Sequence, residues 1–147
     1  MKSAIDLMLN WDLFENKKII WLRQIISAVL IGAGGTLLIV MFLATIMPIF
    51  KAVNFVPWLI GFNTAMTGYS VVEKTRTSLK HRHLVSIGAG LLNVFITALI
   101  LIVLSIYTFG ANLFGLVDLL IFFIIGAVCS GIGSLLAAKY FKLTKSN

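Results

Sequence analysis

Four long apolar stretches dominate this chain and leave it few choices of fold. They run from about Ile25 to Ile46, Val53 to Val72, Leu84 to Tyr107 and Leu113 to Ala138. A hydrocarbon layer about 30 Å thick takes roughly 20 apolar helical residues to cross, so each stretch is long enough to span. In lipid every backbone polar group must be bonded within its own segment or in a closed barrel. No stretch alternates with the period of two that a barrel strand needs, so an all-α, polytopic membrane protein with four transmembrane helices is predicted. Composition agrees: 60% of the residues are hydrophobic and 12% charged, against about 25% charged in ordinary soluble domains. A water-exposed globular enzyme is thereby excluded, and so is a disordered chain. One cysteine, Cys129, leaves no intrachain disulfide and no Cys-rich zinc site.

Charge sets the expected orientation. Lys2, Lys17, Lys18 and Arg23 precede the first span, Lys74, Arg76, Lys80 and Arg82 separate the second from the third, and Lys139, Lys142 and Lys145 follow the fourth. Lys51 alone falls on the other side. Positive residues stay in the cytoplasm, which predicts both termini inside the cell membrane and two short outer turns. The net charge of +7 is accounted for by anionic lipid headgroups and needs no nucleic acid. Trp21 and Tyr140 are placed at the inner interface, Trp58 and Tyr107 at the outer one. Pro57 is expected in the first turn of the second helix.

The domains read as a cytoplasmic lead over 1–24, a four-helix membrane domain over 25–138, and a tail over 139–147. Within the lead, residues 3–16 bring Ala4, Leu7, Trp11 and Phe14 close together on a helical wheel, as in a helix lying along the inner interface. The lead and the length of the first run exclude a cleaved signal peptide. Ile31-Gly32-Ala33-Gly34 recurs 56 positions on as Ile87-Gly88-Ala89-Gly90, which suggests two repeated helical hairpins related by an axis along the membrane normal.

Few residues are chemical candidates. Asp118 is an ionisable group expected at membrane depth, a functional position by default; alternatively it starts the fourth helix, where an acid favours the dipole. Asn63 and Asn93 are amides within spans two and three, suited either to bonds between helices or, with Thr64, Thr67 and Thr97, to a polar path. Ala28, Gly32 and Thr36, Gly126 with Ser130, and Ala127 with Gly131 stand four residues apart, a spacing that lets helices approach closely. The loop Glu73–His83 holds four cations and two histidines, which either grip a phosphate headgroup or simply fix topology. His81 and His83 lack a third ligand type for a metal. No catalytic constellation and no cofactor-binding motif is visible.

Leu22-Arg23-Gln24-Ile25-Ile26, leading into Ile31-Gly32-Ala33-Gly34-Gly35-Thr36-Leu37-Leu38, and the closing Ala138-Lys139-Tyr140-Phe141 resemble the GtrA-like family over about residues 22–142. The chain departs from that pattern in lacking Asn between Ser134 and Ala138, and Trp or Phe in Glu73-Lys74-Thr75-Arg76. The resemblance implies transport of polyprenyl-phosphate-linked sugars across the membrane in polysaccharide biosynthesis, with Arg23, Lys74, Arg76 and Lys139 holding the lipid phosphate. The alternative reading of the residues is a non-catalytic subunit or assembly factor of a larger membrane complex, packing through its small-residue faces against a protein partner or another copy. The two readings differ in geometry. A transporter gathers its polar groups in a cleft; a subunit places them at helix contacts.

Overall fold

The structure, a computed structural model, describes the backbone of residues 2–75 and 81–141 and the side chains of 19–75 and 81–141. It is all-helical: α1 (Lys2–Ile46), α2 (Ile49–Thr75), α3 (Arg82–Phe109) and α4 (Leu116–Tyr140). Three segments, Ile19–Ile46, Arg82–Phe109 and Leu116–Tyr140, are long and apolar enough to cross a membrane, which makes this a membrane-embedded protein. α2 has 27 residues, about 40 Å at 1.5 Å per residue, so it falls short in apolarity and not in length.

The packing explains why α2 differs. α2 and α3 each touch every other helix, whereas α1 and α4 do not touch one another among the described residues. The cross-section is a rhombus with α2 and α3 on its short diagonal. A helix walled in by three neighbours can carry Asn, Thr, Ser and Gly because these face protein and not lipid.

The elements begin and end for local reasons. The Pro48 carbonyl accepts the Lys51 and Ala52 N–H groups at 2.9 and 3.2 Å, so α2 starts at Ile49. Pro57 therefore lies inside α2 and not in its first turn as the sequence predicted; its missing N–H leaves the Val53 carbonyl without its helical donor. α3 closes on Gly110 at φ 69°, whose N–H bonds the Ile106 carbonyl at 2.9 Å. That left-handed geometry favours glycine. The connection to α4 is fixed by Ser105, which donates to the Ala111 carbonyl at 2.6 Å and accepts the Leu113 N–H at 2.8 Å. α1 runs as one helix from Lys2 through the first span. The wheel positions Ala4, Leu7, Trp11 and Phe14 lie outside the described side chains.

Along the bundle the core changes character. Toward the two turns it is apolar, built on Val40, Val56, Ile60, Val94, Leu101, Phe114 and Phe122. Toward the other end Val29, Val71 and Ala89 form a second cluster, and Val72, Ala137 and Ala138 a third. Between them lies a polar layer.

The repeated Ile-Gly-Ala-Gly quartets are used differently. Gly32 is pressed against Asn93 and Thr67, while its counterpart Gly88 meets nothing; Gly34 meets nothing, while its counterpart Gly90 abuts Ser130. A two-fold axis would also equate the α2–α3 contact with an α1–α4 contact, and the latter is absent among the described residues.

Candidate functional site

The polar layer joins three helices. Asn63 on α2 donates from Nδ2 to Thr36 Oγ1 on α1 at 3.0 Å and to the Leu59 carbonyl at 3.1 Å. Asn93 on α3 donates from Nδ2 to Thr67 Oγ1 on α2 at 2.8 Å, and its Oδ1 accepts from Thr97 at 3.2 Å. Thr67 and Thr36 turn their hydroxyl hydrogens back onto the Asn63 and Gly32 carbonyls, at 2.9 and 3.1 Å. This back-bonding hides a hydroxyl within its own helix. Thr64 does the same to Ile60 at 2.7 Å and, among the described residues, joins no other helix. Gly32 admits the arrangement, since a Cβ there would overlap both Asn93 Nδ2 and Thr67 Oγ1. Asn63 and Asn93 are thus brought into one layer with Thr67 and Thr97, at helix contacts.

A second set of small and hydroxylic residues joins α2, α3 and α4. Ser130 donates to the Ser86 carbonyl at 2.7 Å, and Ser86 donates to the Gly68 carbonyl at 3.2 Å. Gly68 and Gly90 both lie against Ser130, Gly126 against Val94, and Gly133 against the Ala65 carbonyl. Of the predicted spacings, Ala28–Gly32–Thr36 and Gly126–Ser130 are buried at these seams, whereas Ala127 and Gly131 are half-buried. His83 Nδ1 lies 2.6 Å from Ser134 Oγ and ties α3 to α4. Nothing in the sequence signals that pair, since 51 residues separate its members.

Among the described residues, no buried side-chain nitrogen or oxygen lacks a hydrogen-bond partner.

Asp118 sits in the first turn of α4, exposed, and its Oδ2 accepts the Gly115 N–H at 2.8 Å. Such a bond satisfies one of the donors left open where a helix begins. Arg23, Lys74 and Lys139 are exposed. The apolar clusters place them at one end of the bundle, because Ile25 packs with Val71 and Val85, and Val72 with Ala138 and Phe141. Arg76 lies outside the described residues, as do Lys80 and the rest of the loop's middle. Cys129 is half-buried beside Gly61, and not enclosed in the core.

Among the hollows formed by the described residues, two are apolar. One, about 200 Å³, opens near the two turns between Val40, Met41, Val53, Leu101, Leu113 and Phe114. The other is a groove between α2 and α4 formed by Pro57, Trp58, Gly61, Phe62, Ile125 and Cys129.

No protein-family model, curated protein or solved structure matches this chain.

Proposed function

We propose that this chain is a small multi-pass subunit or assembly factor of a larger membrane complex, with no catalytic chemistry of its own. One observation carries the reading: Asn63, Asn93, Thr36, Thr67 and Thr97 bond to one another or to backbone across α1, α2 and α3. None of them lines either hollow. A solute path needs polar groups free to exchange partners, and these are engaged.

In this reading α2 crosses the cell membrane with its three neighbours, and both termini are cytoplasmic. Arg23, Lys74 and Lys139 then lie at the inner surface against anionic headgroups, with Lys51 and Asp118 outside.

A second reading, the movement of polyprenyl-phosphate-linked sugars, is supported by the gathering of Arg23, Lys74 and Lys139 at one end. Native mass spectrometry of the chain released gently from its own membrane separates the two. A different membrane protein bound in fixed stoichiometry supports the subunit reading. A polyprenyl phosphate bound without any protein, and lost in the double variant Lys74→Ala/Arg76→Ala, overturns it in favour of the second.

A further inference from the structure

The hollow of about 200 Å³ near the two turns is let into the bundle between α1 and α3, with α2 behind it. Its floor is the core itself, since Val40, Leu101 and Phe114 are buried. Its mouth is apolar surface, formed by the exposed Met41, Leu104 and Phe109. The chain is membrane-embedded and both α1 and α3 are long and apolar enough to span, so this mouth opens onto hydrocarbon.

The wall decides the chemistry of what enters. Its two hydroxyls are spent inside the chain: Ser105 donates to the Ala111 carbonyl at 2.6 Å and Thr108 to the Leu104 carbonyl at 2.7 Å. A trapped water needs two to four polar partners, and a roomy apolar hollow takes an apolar guest instead.

The shape decides its form. Leu101 and Phe109, both on the wall, stand eight residues apart on α3, about 12 Å along the axis at 1.5 Å per residue. The hollow is therefore a slot that runs along a spanning helix, which is the direction of lipid chains, and it fits within one leaflet of about 15 Å. A helix about 10 Å across is too wide for it, and a side chain from a neighbouring helix would enter across the slot and leave most of its length unfilled. About 200 Å³ spread over that length leaves room for one unbranched chain and little for the methyl branches of an isoprenoid. We infer that the slot binds one acyl chain of a membrane phospholipid, laid against α3 from Phe109 down to Leu101, with the headgroup level with the two turns.

The test places the full-length chain in vesicles of a phospholipid that carries a diazirine midway along one acyl chain, and maps the cross-linked residues by mass spectrometry. Label is expected to concentrate on residues 40–44 and 101–109, about tenfold over Ile124 and Leu135 on the exposed apolar face of α4, the ratio that a modest binding preference gives. Ala44→Trp and Leu104→Trp each set an indole in the slot and are expected to bring its label down to the α4 level, while Ile124→Trp leaves it unchanged. Wild-type label spread evenly over the lipid-facing helices overturns the inference, and that map is read whether or not the Trp variants fold. Slot label indifferent to both Ala44→Trp and Leu104→Trp overturns it too. Native mass spectrometry of the chain from its own membrane is expected to show one phospholipid retained per chain and released in Ala44→Trp. An isoprenoid lipid or a protein partner released by that variant in its place assigns the slot to a different occupant and overturns the inference.

Discussion

Gly133 on α4 lies directly against the carbonyl of Ala65 on α2, so close that a methyl group at Gly133 would overlap that oxygen. The obstacle is backbone, which cannot rotate aside as a side chain can. Gly133→Ala is expected to splay α2 from α4 and cost about 1–3 kcal/mol, the usual range for overpacking. Gly34→Ala and Gly88→Ala meet nothing within 4 Å and are expected to change stability by about 0.5 kcal/mol or less. Thermal unfolding in one detergent, followed on all three variants, checks the contrast; equal midpoints for Gly133→Ala and Gly34→Ala would refute it.

The Asn93–Thr67 bond at 2.8 Å is expected to couple the two side chains. In a double-mutant cycle with Asn93→Leu and Thr67→Val, the interaction energy should fall at about 0.6–2 kcal/mol. Thr64 bonds only within its own helix, so a cycle pairing Asn93→Leu with Thr64→Val should give additivity. Coupling of the same size in both cycles would mean that the polar layer does not link helices pairwise.

Asp118 is expected to act as a helix-start acceptor. Asp118→Asn retains an oxygen for the Gly115 N–H and should remain close to wild type. Asp118→Ala should lose about 0.5–1 kcal/mol, as typical for a missing cap or dipole partner. A loss of function in Asp118→Asn at unchanged stability would show instead that the charge itself is used.

Ser134 is buried and bonded to His83. Ser134→Ala strips His83 Nδ1 of that partner and should cost about 0.5–1.5 kcal/mol, the net value of an ordinary hydrogen bond. Adding His83→Leu should return part of the loss, because an apolar pair leaves no polar atom unmatched. A double variant no more stable than Ser134→Ala would count against the pairing.

The membrane class and the helical content were legible because they depend on one-dimensional quantities. Run length against bilayer thickness marked three spans that the structure retains as helices long and apolar enough to cross. The same reasoning placed the second run's helix but began it at Val53, because hydropathy does not see that the Pro48 carbonyl can start a helix four residues earlier. The use of the two Ile-Gly-Ala-Gly quartets was not legible, since identical residues meet different neighbours once helices are rotated.

Residue types alone thus decided that this chain is helical and membrane-embedded, because apolarity and length act segment by segment. Which polar side chains meet was settled by the way the helices pack. Asn63 finds Thr36 at a separation of 27 residues, Asn93 finds Thr67 at 26, and His83 finds Ser134 at 51. In water an amphipathic period would reveal the inward face of each helix. In lipid both faces are apolar, so the rotation of each helix is fixed by close packing of small residues and by hydrogen bonds between helices, which exist only once the bundle has formed.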